Sequence, residues 1–202
     1  IITSILSFDN ISTRGIMPFI FSKVLVWNQK NKDSMLKSNI DLKDSDVKII
    51  GPVQFDFYYD KKYTLNRSDW HSNKLIKNKK VILYNGGPSI FFKYEPYYLE
   101  YIDSAINNGQ IDNAVILLRI HPLDNLKRWL EVVHKSQNII ISKVWGQNSE
   151  SLLEQKYHNI TDNDIKILKA DLMYSDVHIS LCSTMVIDGS IFDKPQIGPA
   201  FD

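Results

Sequence analysis

The sequence predicts an α/β chain whose strands pair in parallel. Three observations carry this expectation. Short runs dominated by Val, Ile and Leu recur at 81–84, 114–120, 139–142 and 177–181, and continuous apolar runs of this kind suit strands buried on both faces. Segments with apolar residues at helical spacing separate most of these runs, and strand–helix–strand repetition implies parallel pairing with right-handed crossovers. Polar or glycine-bearing turns follow the runs, at the carboxyl edge where an open parallel sheet binds its ligands.

Taken in order, residues 1–6 read as a strand, and the loop after it carries Asp9, Asn10 and Ser12-Thr13-Arg14-Gly15. That loop suits a site at a sheet edge, and it equally suits a well-made turn. Residues 24–27 form the next apolar run, 28–36 a short helix capped by Asn28, and 47–50 a further strand leading into Gly51-Pro52 and Asp56, a functional acid or a local cap. Residues 57–80 mix Tyr, Lys, Asn and Asp without a sustained period and read as an interdomain linker. Its aromatics, with Phe55, are expected to pack on both neighbours. A regular order begins at Lys80: strand 81–84, helix 94–108 with Leu99, Ile102 and Ile106 on one face, strand 114–120, helix 123–134, strand 139–142 and helix 163–173. Strand 177–181, the polar turn Cys182-Ser183-Thr184 and a helix carrying Met185, Val186, Ile187, Ile191 and Phe192 complete it. That helix stops at Lys194-Pro195, since proline cannot continue it.

Composition narrows the function classes. With 202 residues, 44% of them hydrophobic, the chain has ample material for a packed core. Its 24 basic and 23 acidic residues nearly cancel, which argues against a nucleic-acid partner or an anionic membrane surface. The single cysteine, Cys182, rules out an intramolecular disulfide and fits a reducing compartment. No apolar run reaches bilayer length and the start lacks signal-peptide features, so a cytoplasmic protein is expected. The chain begins in what reads as mid-strand and stops just after another strand, as a fragment of a longer protein would.

Several groups are candidates for chemistry. Ser183 and Thr184 precede a helix whose amino terminus would offer N–H groups and a positive dipole end to a phosphate, and Asp188, one turn on, shares their face. The same residues also make an ordinary cap and a favourable helix-start charge. Gly86 and Gly87 belong neither to a dinucleotide fingerprint nor to a P-loop, yet their backbone can approach a phosphate closely. Arg119 and His121 fall on one side of an extended segment, where a cation and an imidazole can meet a diphosphate or a leaving nucleotide; alternatively Arg119 pairs with a carboxylate and His121 bonds a loop. Trp145 follows the third strand of this half and either packs or meets a nucleobase; Ser142 and Asn148 are secondary candidates. Asp171 and Asp176 read as helix-end and strand-start residues. The histidines lack metal-ligand spacing, no metal is expected, and no hydrolase elbow is present.

The segment S-D-x-x-I-S-x-x-S-T-x-x-x-D-x-x-x-x-D-K-P at 175–195 resembles the donor-nucleotide segment of two-domain GT-B transferases, closest to the CDP-glycerol glycerophosphotransferase and capsule-polysaccharide glycosyltransferase group. Arg119-Ile120-His121-Pro122 is similar to the basic His-Pro segment beside the donor phosphates in that group, and Val24-Leu25-Val26-Trp27 with Lys48-Ile49 to Asp56 to the end of its amino-terminal domain. The resemblance implies a Rossmann-like parallel sheet with flanking helices plus a partial second Rossmann-like domain. It divides the chain into the end of an amino-terminal domain at 1–57, a linker at 58–80 and a donor-binding domain at 81–202. It implies transfer of a glycosyl or glycerophosphate group from a nucleotide-activated sugar or CDP-glycerol to a glycan or lipid-linked acceptor, with no further cofactor. Membrane association would be peripheral and through regions outside this chain. It assigns donor binding to Gly86, Gly87, Arg119, His121, Trp145, Ser183, Thr184 and Asp188, with His121 and Asp9 as catalytic candidates, Asp188 taking the ribose and Trp145 lying near the base. A UDP-N-acetylglucosamine 2-epimerase-like enzyme shares the architecture but would show Ser-Gly-Gly before paired Glu residues, where this chain has Cys182-Ser183-Thr184 and the single Asp188. A non-catalytic nucleotide-binding module is the third alternative.

Overall fold

A computed structural model describes residues 1–5, 21–70, 76–122, 124–142, 160–181 and 183–200. The chain forms two compact units, Ile1–Asp60 and Lys61–Asp202. In the first, strands β1 (Ile2–Ser4), β2 (Lys23–Val26) and β3 (Val47–Ile49) make a parallel three-stranded sheet in the order β1-β2-β3. Helix α1 (Gln29–Ser38) crosses from β2 to β3 and starts as the sequence leads one to expect: Asn28 is extended, and its side chain accepts from the Asn31 N–H at 2.9 Å. Val24, Val26, Met35 and Val47 form the core of this unit. Trp27 meets Phe55 edge-on at 5.6 Å, and Phe55 and Phe57 both pack on Tyr58, so these aromatics cluster inside the first unit.

The second unit is built on β4 (Lys80–Asn85), β5 (Ala114–Arg119), β6 (Ile139–Ile141), β7 (Val177–Ser180) and β8 (Gln196–Ile197). All pair in parallel in the order β6-β5-β4-β7-β8, with helices α2 (Arg67–Trp70), α3 (Glu95–Asn107), α4 (Lys127–Lys135), α5 (Asp162–Tyr174) and α6 (Met185–Ser190). The unit is thus a Rossmann-like α/β sheet. Every residue of β5 is buried, as a central parallel strand requires.

Strand alternation sorts the core into two faces. Ile82, Tyr84, Ile116, Leu118 and Ile179 pack with Leu99 of α3 and with Trp129 and Val132 of α4. The intervening residues, Leu83, Leu117 and His178, are buried on the opposite face, where the His178 ring meets the Leu172 carbonyl of α5 at 3.2 Å. Helix α5 opens on a capping box, Thr161 and Asp164 each accepting from the other's N–H. Residues 61–70, within the stretch read as a linker, lie along α5. There Trp70 packs on Tyr174 at 5.4 Å, Tyr174 donates to the Leu65 carbonyl and Lys169 to Thr64.

Two helices are shorter than the sequence pattern suggests. Helix α4 starts at Lys127 rather than at 123, because the Asp124 carboxylate turns inward to the Ser89 N–H, the Arg128 Nε and the Trp129 indole, holding 124–126 out of the helix. Helix α6 ends at Ser190, and the chain reverses through Asp193 at φ 53° before Pro195. This helix docks on β7 and β8 through Gly189: a Cβ there would lie 2.2 Å from His178 Nδ1 and 2.3 Å from Gln196 Nε2. Those two atoms hydrogen-bond at 3.0 Å, and burial pushes the His178 pKa down to about 4, so the ring stays neutral. Gly189→Ala should therefore cost about 1–3 kcal/mol of stability by forcing α6 off the sheet, read as a lowered urea midpoint at unchanged m-value.

Candidate functional site

Strands β4, β5 and β6 step outward in one direction, whereas β7 and β8 lie on the other side of β4. The switch point between β4 and β7 opens at the carboxyl ends of these strands, the place where open α/β sheets bind ligands. The last residues of both strands are polar: Asn85 ends β4 and Ser180 ends β7, and they are direct register partners. Asn85 is also in register with Arg119 at the end of β5, and the Ser142 N–H bonds the Leu118 carbonyl one step beyond β6. Ser142, Arg119, Asn85 and Ser180 therefore form a polar row across the edge of a sheet whose interior is apolar.

One half of this row converges on a single carboxylate. Arg119 Nη1 donates to Asp171 Oδ2 at 3.0 Å, Ser142 donates to the same oxygen, and the Trp70 indole donates to Oδ1 at 2.8 Å. Asp171 is fully buried, so α5 supplies the countercharge that lets an arginine end an interior strand. The other half is open. Asn85 and Ser180 are 3% and 2% exposed, and among the described residues neither the Asn85 amide atoms nor the Ser180 hydroxyl has a hydrogen-bond partner.

The turn after β4 is pinned from the opposite face. Arg128 donates to Asp124 at 2.7 Å, to the carbonyls of Phe92 and Gly87 at 2.7 and 2.8 Å, and to Glu95 at 3.1 Å. Gly86 donates its N–H to the Arg119 carbonyl and Gly87 to Glu95 Oε2, so neither amide is free to cradle a phosphate. These glycines answer to packing instead: a Cβ on Gly86 would sit 2.8 Å from the Trp129 ring, and one on Gly87 2.3 Å from the Phe92 ring. Burial pushes the Glu95 pKa up to about 7 against the pull of the Gly87 amide and Arg128. Burial first, then the Glu95 charge, also raises the Tyr84 phenol.

Among the other predicted residues, Ser183 accepts from the Met185 N–H at 3.2 Å, while Thr184 begins α6 without a side-chain cap. Asp188 is half-buried within α6. Arg119 is held inside by Asp171, whereas half-buried His121 sits by Asp124, where burial lowers its pKa and the Asp124 charge partly offsets that. Arg119 thus pairs with a carboxylate, one of the two readings its sequence position allowed, while the Asp124 charge lies near His121. Asp9, Asn10, Trp145 and Asn148 lie outside the described residues. Sequence reasoning missed Ser180, the partnering role of Asp171, the Glu95–Arg128–Asp124 cluster and Gly189. It treated Asn85 only as part of a turn. The available signal was a polar residue closing an apolar run, as at Asn85, Arg119 and Ser180. Among the described residues no group of three or more His, Cys, Asp or Glu side chains is placed to hold a metal, and no helix is long and apolar enough to cross a membrane.

Fold and site together define a Rossmann-like α/β domain with a polar cluster at its switch point. Among solved structures, the wall teichoic acid polymerase TagF is similar to this chain, with 18% sequence identity over 87% of it and a TM-score of 0.44. The chain spans 38% of that protein's length. No family model and no curated protein matches the sequence.

Two outcomes follow from the buried charges. Asp171→Ala, which strands Arg119 in the interior, should cost about 3–5 kcal/mol in denaturant unfolding. For Glu95, whose carboxyl is pushed from 4.5 to about 7, the folded chain holds a proton that the unfolded chain releases between those values. Its contribution to stability is present below about 4.5 and declines as pH rises to about 7. Thermal unfolding of Glu95→Gln should thus gain on the parent protein across that window and run parallel to it above.

Proposed function

We propose that the second unit binds the nucleotide part of an activated donor at the carboxyl edge of its five-stranded sheet, and that the protein transfers a glycosyl or glycerophosphate group from that donor to a glycan or lipid-linked acceptor. The observation that carries this reading is the β4/β7 switch point with polar strand ends on both sides. The 175–195 motif, whose residues run from β7 into α6 at that same edge, supports it.

In this reading Ser183 and Thr184 meet the donor phosphates and Asp188 accepts from a ribose hydroxyl or its equivalent. His121, whose lowered pKa keeps the imidazole mainly neutral at neutral pH, is placed in the turn after β5 to hydrogen-bond the leaving phosphate or take the acceptor's proton. Arg119 acts through Asp171 as a positioning residue for the strand end rather than as a donor contact. The acceptor hydroxyl attacks the transferred group, the bond to the nucleotide phosphate breaks, and the hydroxyl proton passes to a base. No cofactor beyond the donor is called for, and the protein works in the cytoplasm.

Calorimetry with CDP, UDP, GDP and CMP tests the reading. One nucleotide should be preferred, and no binding by any of them at millimolar concentration overturns it. Asp188→Ala should weaken the preferred nucleotide by about 1–3 kcal/mol; unchanged affinity would leave Asp188 as a helix-start charge.

A further inference from the structure

We infer that Asn85 and Ser180 form a neutral subsite for a hydroxyl- or amide-bearing group of the ligand, distinct from the positions that take its phosphates. The inference rests on the donor-binding reading above and deepens it.

The starting point is an imbalance within one row of side chains. Arg119 Nη1 and the Ser142 hydroxyl both donate to Asp171. Next to them, among the described residues, Asn85 leaves both its amide oxygen and its amide nitrogen without a partner, and Ser180 leaves its hydroxyl so. Buried polar groups are almost always hydrogen-bonded, because leaving one unmade costs as much as the bond itself or more. Here three such atoms cluster on adjacent strand ends, in register, at the topological switch point. Orphaned groups elsewhere in a core would signal a defect; orphaned groups at the one edge where the topology expects a ligand are groups kept for that ligand.

The chemistry of the pair selects the class of group it takes. An amide offers two N–H donors and a carbonyl acceptor, and a serine hydroxyl offers one of each kind. The set matches a group that both donates and accepts, such as a diol or the edge of a base. It is a poor match for a phosphate, since the cation in the row is already neutralised by Asp171, and a charge carried into this buried corner would lack a counterion. The matching group can come from the nucleoside or from the transferred polyol or sugar.

The test uses the full chain with Ser180→Ala and with the double change Asn85→Leu plus Ser180→Ala. Removing unpartnered buried polar atoms should leave the melting temperature unchanged or raised, the reverse of what loss of a structural hydrogen bond does. Binding is measured by calorimetry or competition for cytidine and uridine, for CDP and UDP, and for CDP-glycerol and UDP-N-acetylglucosamine. The double variant should weaken binding at least tenfold. A comparable loss for nucleosides and diphosphates assigns the subsite to the nucleoside, and a loss confined to the complete donors assigns it to the transferred group. A loss for the diphosphates but not for the nucleosides would make the pair a phosphate contact and overturn the inference. Unchanged affinity for every probe overturns it as well, leaving a pair satisfied by internal water while the donor-binding reading stands. If the unsubstituted chain binds none of the probes, both fall together.

Discussion

The buried ion pair between Arg119 and Asp171 sets the terms for the carboxyl edge of the second sheet. Taking a guanidinium and a carboxylate out of water costs several kcal/mol per ion, and the attraction between them compensates only where the remaining lone pairs are also satisfied. Asp171 meets that condition by accepting from Ser142 and from the Trp70 indole as well. One carboxylate therefore ties the end of β5, the residue after β6, helix α5 and helix α2 into one arrangement. It also balances the charge of the row, whose neighbours on the next strands are the uncharged Asn85 and Ser180.

A second arginine does the corresponding task on the other face. Arg128 gathers Asp124, Glu95 and the carbonyls of Phe92 and Gly87, which fixes the turn after β4 against the turn after β5. The two glycines of that turn let the Trp129 and Phe92 rings close over it. Both faces thus hold the strand ends by engaging charges and amides internally, beside the neutral Asn85 and Ser180. Preorganisation of this kind suits a binding site, whose groups should not have to be ordered by the ligand.

The parallel α/β architecture was legible in the sequence because its causes are local. Val- and Ile-rich runs at 114–119 and 177–180 and a capped amphipathic segment at 162–174 each announce their own secondary structure. Asn28 as a helix cap was equally readable, since the cap and the N–H that donates to it lie three residues apart. Helix α4 was drawn too long because the reason it starts late, the inward turn of Asp124 to Ser89 and Trp129, involves a residue 35 positions away. The turn at 182–184 drew attention to the carboxyl edge of the sheet, whereas the roles expected of Gly86, Gly87 and Arg119 depended on whether their amides and charge were still free.

By itself, then, the sequence determined the element order, the parallel pairing and the edge of the sheet at which polar residues collect, because these follow from periodicity and short-range turn chemistry. Only the tertiary structure decided which of those residues are engaged. Register placed Asn85 beside Ser180 across a gap of nearly a hundred residues, and 52 positions separate Arg119 from its Asp171 countercharge. Hydrogen bonds saturate, so whether a polar group can serve a ligand is settled by the partners that folding brings to it.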